Sequence, residues 1–161
     1  MIEAAAIDVA VTIHDGDWGD CAGDVEAAVR LALAGETGPV AVDITLTDDS
    51  EQQRLNRTWR DKDAPTNVLA FPGDGPVPPG APQTGAPRIL GDVVLALTTI
   101  RREAVEQEKP FADHLRHLVV HGVLHLLGHD HDEPAAAAAM EGREIAILAQ
   151  LGVPDPYRDT M

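Results

Sequence analysis

Residues 117–131 read HLVVHGVLHLLGHDH, and the expected fold and the expected metal site both follow from this stretch. His121 and His125 are four apart, so on an α-helix they stand one above the other on the same face, roughly 6 Å along the axis. Residues 118–127 are otherwise apolar except for Gly122, which marks a buried helix. Unpaired imidazoles in such a helix would be costly. Gly128 follows where a left-handed residue can end the helix and turn the chain back, and the return can deliver His131. Three neutral imidazoles occupy three corners of a tetrahedron and leave the fourth for water, as in a catalytic rather than a closed structural zinc site.

The His spacing is that of the metzincin pattern H-E-x-x-H-x-x-G-x-x-H, but position 122 is Gly where that pattern has its catalytic Glu. The metal cradle is therefore expected without the protease's general base. Six of the seven histidines fall between 114 and 131. His114 and His117 project to the same side one or two turns earlier and read as residues behind the ligands or exposed rather than as ligands. His129 reads as a loop residue.

Outward from this helix, 161 residues with 44% hydrophobic content fit one domain spanning 1–161 with a proper core. With only five aromatics, Leu, Val, Ile and Ala must fill it. A lone cysteine, Cys21, excludes an intramolecular disulfide and fits a reducing compartment. No apolar run approaches the ~20 residues that span a bilayer. The first residues lack the basic segment and apolar core of a signal peptide, so a cytoplasmic location and no membrane partner are expected. A net charge of −15 argues against a nucleic-acid-coating role but leaves room for a local basic site.

Strands are expected at 5–13, 40–47, 66–71 and 89–98, with Gly91-Asp92 near the start of the last and Asp92 read as a turn residue. Val25, Ala28, Val29, Ala32 and Leu33 form one stripe of a helix over about 20–33, and further helices are expected at 49–59, 99–108, 111–127 and 132–150. Residues 72–87 hold six prolines and four glycines and read as a loop. The order predicts an α+β domain, a four-stranded, mostly parallel mixed sheet packed with about five helices, with the metal site on a buried helix and its following loop.

Basic residues number twelve, yet Arg54, Arg57, Arg60 and Lys62 fall within nine positions. A clustered guanidinium in an acidic protein is a candidate phosphate site, because its fork matches two phosphate oxygens. Arg54 and Arg57 read instead as a solvated helix end, where cations favour the dipole.

The strings LNRTWRDKDAPTNVLAFP (55–72), ILGDVVLA (89–96) and HLVVHGVLHLLGHDH (117–131) resemble the YbeY-type endoribonucleases, the ribosomal-RNA maturation factors, over nearly the whole chain. The resemblance implies zinc held by His121, His125 and His131, one ion per chain. It also implies that Arg60 is the functionally important arginine, with Trp59 replacing the usual Tyr. Asn67 matches a position that is Asp or Asn in the family, and Ala70 replaces a common Ser. The implied fold is a small α+β sheet crossed by the metal helix. The implied activity is metal-dependent hydrolysis of single-stranded RNA in small-subunit ribosomal-RNA maturation and ribosome quality control, with ribosomal RNA and small-subunit proteins as partners. Arg60 would neutralise charge developing on the phosphorane oxygens, and Lys62 would make a point-charge substrate contact. The proton acceptor is left between Asp130 and the metal-borne hydroxide; Asp130 could equally orient an imidazole. Two other readings stay open, a metzincin-like protease and a non-enzymatic assembly factor stabilised by its metal.

Overall fold

The structure, a computed structural model, describes residues 7–13, 18–19, 21–34, 39–48, 68–72, 88–127 and 134–155. Within them the chain runs β1 (Ile7–Ile13), α1 (Ala22–Ala32), β2 (Val40–Thr47), β3 (Val68–Pro72), β4 (Arg88–Ala96), α2 (Leu97–Glu106), α3 (Phe111–Leu126) and α4 (Pro134–Gln150). The strands form one sheet in the order β1-β2-β4-β3. β1 and β2 pair in parallel, as do β2 and β4, while β3 runs antiparallel to β4. The parallel β1–β2 pair is joined through α1, the helical crossover such a pair requires. This is the expected mixed, mostly parallel α+β sheet, with four helices among the described residues; the helix expected at 49–59 lies outside them.

Each face of the sheet follows from alternation. Val40, Val42, Ile44 and Leu46 point to one side of β2 and are all buried. On β4 the alternation is reset once: Ala41 pairs with Ile89 and Val42 with Gly91, so Leu90 is an extra residue in the ladder. Gly91 takes φ 137°, a conformation glycine adopts without strain. Beyond this bulge Gly91, Val93 and Leu95 share the buried face of Val42, Ile44 and Leu46. Asp92 therefore lies inside the strand, paired with Asp43 on one side and Phe71 on the other, and not in the turn expected at the strand's start.

On that buried face α3 is the hub, packing against β3 and β4 below and against α1, α2 and α4 around it. The stripe read for α1 is the one observed, with Val25, Ala28, Val29, Ala32 and Leu33 all buried. α2 begins at Leu97, two residues before its expected start, because Leu97 turns into the core rather than extending the strand. It ends through Glu108 at φ 54°, with the Lys109 N–H donating to the Ala104 carbonyl at 2.9 Å. α4 ends as its Gly152 suggests: Gly152 takes φ 78°, and the Val153 N–H donates to the Leu148 carbonyl at 2.9 Å. One cluster of buried side chains takes in residues of all four helices and of β2 and β4.

Candidate metal centre

Positions 114, 117, 121 and 125 follow one another at helical spacing, so α3 carries a column of imidazoles on a single face. Ring centroids are 6.4 Å apart from His114 to His117 and again from His117 to His121. The last step is shorter: His121 and His125 are 4.8 Å apart, with their planes at 79°. The column grades from inside to outside, with side chains 4% exposed at His114, 13% at His117 and 23% at His121. The pair that sequence spacing singles out thus sits at the more open, C-terminal end of the helix, directly before the segment that carries His131.

A carboxylate stands behind the column. Glu144 of α4 is fully buried, and its Oε1 lies 2.7 Å from Nδ1 of His121 and 3.4 Å from Nε2 of His117. A carboxylate accepts hydrogen bonds, so the short contact places the proton of His121 on Nδ1 and makes Nε2 the nitrogen with a lone pair to give. Sequence reading missed Glu144. The signal was present in α4, where Met140, Glu144, Ile147 and Leu148 share one buried stripe and Glu144 is its one charged member.

Gly122 explains the departure from the protease pattern. It is buried where α3 presses on the sheet, and a β-carbon there would come within 2.7 Å of Cγ1 of Val93 and 3.2 Å of Cγ2 of Val68. His121 and His125 look away from the sheet while position 122 looks into it. No side chain, least of all a catalytic Glu, fits at that position in this packing.

His114 is buried and faces a carboxylate of its own. Its Nε2 lies 2.9 Å from Oε1 of Glu103 on α2, and its Nδ1 is buried with no hydrogen-bond partner among the described residues. Burial, above all, lowers its pKa from the usual 6.5, against the opposing pull of Glu103. Asp92 is shifted the other way, raised from 3.8 by desolvation and by the charge and hydrogen bond of Asp43 across the ladder. A cleft of about 180 Å³ opens beside His114, His117 and Lys109. It is smaller than the roughly 300–1,000 Å³ of ordinary ligand sites.

His131, Arg60, Lys62, Asn67, Asp130, Arg54 and Arg57 lie outside the described residues. Among the described residues no group of three or more His, Cys, Asp or Glu converges on a metal position. The donor chemistry nevertheless fits a transition metal. Two imidazoles are juxtaposed on one helix face, and one has its second nitrogen fixed by a carboxylate, the support that metal-bound histidines ordinarily receive.

The family model described as endoribonuclease YbeY matches residues 16–152. Proteins named endoribonuclease YbeY are 52% identical over 132 residues in a Bradyrhizobium species, covering 82% of this chain and 78% of the relative. In Paramagnetospirillum magneticum the identity is 48% over 162 residues, covering 94% and 96% of the two chains. In Alkalilimnicola ehrlichii it is 53% over 139 residues, covering 83% and 81%. A solution structure of a Thermotoga maritima protein superposes with a TM-score of 0.59 at 20% identity, over 94% of this chain and 99% of that one, which is a likeness of fold.

Proposed function

Since the chain belongs to the endoribonuclease YbeY family, we propose that it is a zinc-dependent hydrolase of single-stranded RNA. It acts in maturation of small-subunit ribosomal RNA and in ribosome quality control, with ribosomal RNA and small-subunit proteins as partners in the cytoplasm. No helix among the described residues is long and apolar enough to cross a membrane. The observation that carries the reading is the His121–His125 pair, 4.8 Å apart at the open end of a helix otherwise locked into the core.

In this reading His121, His125 and His131 hold one zinc ion. Bound there, zinc supplies a water of lowered pKa and a Lewis acid for a phosphoryl oxygen. His121 contributes Nε2 while Glu144 keeps its Nδ1 proton in place. Arg60 pairs its guanidinium fork with two oxygens of the scissile phosphate and gains strength as charge accumulates on them. Lys62 adds a point charge to the neighbouring backbone. Asp130 is the chain's candidate proton acceptor. The basic cluster is local in a chain of net charge −15, so binding would rest on a few phosphates rather than on a broad surface.

Gly122 argues against the protease reading, because its place against Val93 and Val68 is incompatible with the Glu on which peptide hydrolysis in that motif depends. The test takes purified protein with about one zinc per chain and measures cleavage of a labelled single-stranded RNA and of labelled casein, with and without chelator. RNA cleavage abolished by chelator, with far-UV circular dichroism retained and casein untouched, is the expected result. Loss of fold on chelation with no RNA cleavage beforehand would leave a metal-stabilised assembly factor in its place.

A further inference from the structure

We propose that Glu144 is the positioning residue of the metal centre: it selects the Nδ1–H tautomer of His121 and fixes the ring so that Nε2 is presented as the donor. The proposal rests on the metal reading above and deepens it. Nothing in the choice of fold requires a carboxylate at this point. Glu144 occupies the stripe of Met140, Ile147 and Leu148, all three at most 1% exposed, and is itself 0% exposed. Taking a carboxylate out of water costs several kcal/mol, and a well-packed apolar residue at such a site is often neutral or better for stability. An acid retained there is explained by what it touches, and it touches the His121 imidazole at 2.7 Å.

Placement is equally telling. Glu144 lies nearly three turns into α4, a helix anchored to the core through the side chains on either side of it along the stripe. Its carboxylate is therefore held by core packing along that stripe. His117 shares the same oxygen at 3.4 Å, which ties two successive turns of α3 to one point on α4. Rotation of the His121 ring would break the short contact. Metal affinity at His121 is thereby coupled to the docking of α4 on α3.

Two variants and one measurement on the unaltered chain test this. Glu144→Leu keeps the volume and removes the acceptor; Glu144→Gln keeps an acceptor oxygen and removes the charge. Zinc affinity, read by competition with a chromophoric chelator, is expected to fall about 10- to 100-fold in Glu144→Leu. Glu144→Gln should recover part of the loss, while urea midpoints of the metal-free proteins stay level with or above that of the parent. The visible spectrum of the cobalt-substituted Leu variant should change in band position, a signature that a purely structural role would not move. In the metal-free parent, imidazole nitrogen shifts should report His121 as the Nδ1–H tautomer, a result that needs no variant to fold. A parent-like affinity and cobalt spectrum in Glu144→Leu overturns the proposal, and so does an Nε2–H tautomer in the parent. His125→Ala separates the two readings: retained metal in that protein sinks the metal site itself, whereas lost metal there with parent-like binding in Glu144→Leu sinks only the role of Glu144.

Discussion

Gly122 of α3 and Val93 of β4 meet without room for a methyl group between them, a β-carbon at 122 falling 2.7 Å from Cγ1 of Val93. Val93 is fully buried and β-branched, so its side chain has little freedom to move aside. The helix can therefore lie close on the sheet only because position 122 carries no side chain, and this close approach sets how far His121 and His125 stand from the core.

Gly122→Ala tests this contact. In an exposed helix the change would add about 1 kcal/mol of stability through helix propensity. Here overpacking costs roughly 1–3 kcal/mol, and the net effect should be a lower urea midpoint. Gly122→Glu, which restores the protease pattern in sequence, should fail to fold rather than acquire peptidase activity. A Gly122→Ala protein more stable than the parent would mean that α3 stands further from β4 than described.

The pKa of His114 is lowered by burial, so the folded chain takes up its proton less readily than the unfolded chain does. With the folded value below 6.5, the stability it confers is present at higher pH and is lost as pH falls through 6.5 toward the folded value. His114→Gln keeps a donor for Glu103 but does not titrate. Between about pH 7 and pH 5 the metal-free variant should lose less stability than the parent, as read from urea midpoints at each pH. Parallel curves for the two proteins would remove His114 from the account.

Asp92 gives the opposite sign. The pKa of Asp92 is raised by desolvation and by Asp43, so its protonated form is favoured in the folded chain and the associated stability is lost as pH rises through the folded value. Asp92→Asn should raise the urea midpoint at neutral pH, and the gain should shrink as the solution is acidified and Asp92 itself takes up a proton. A gain that is the same at acid and neutral pH would show that charge is not its cause.

The contrast between His125 and Glu144 explains how much of the site could be read beforehand. Local periodicity places two residues of one helix on one face, so the His121–His125 pair and the stripe of α1 were legible from spacing alone. Glu144 belongs to a different helix, and only the docking of α4 on α3 brings it to His121. Its run of alanines also gives α4 a weak apolar contrast, which hides the one charge within the stripe. Asp92 was misplaced for a related reason. Its neighbours depend on the bulge at Leu90, which nothing in ILGDVVLA announces, and on pairing with Asp43, far away in sequence. Spacing after Gly128 offered His131 and the clustered guanidinium offered Arg60, and family resemblance gave each of them its role.

Arg60 and Lys62 offer the sharpest test of the phosphate assignment, since each can be exchanged for the other residue type at constant charge. If Arg60 grips the scissile phosphate through two parallel N–H···O bonds, Arg60→Lys keeps the charge and loses the fork. A contact that strengthens in the transition state should then cost roughly ten- to a thousand-fold in kcat, with metal content and fold retained. Lys62 is assigned a point-charge contact, so Lys62→Arg should change RNA cleavage little. Long-range electrostatics cannot account for a difference between two charge-conserving exchanges two residues apart. Single-turnover cleavage of single-stranded RNA, with both variants loaded to the same zinc content, provides the comparison. Equal and small effects would return the basic cluster to a solvated helix end and give the non-enzymatic assembly factor first place.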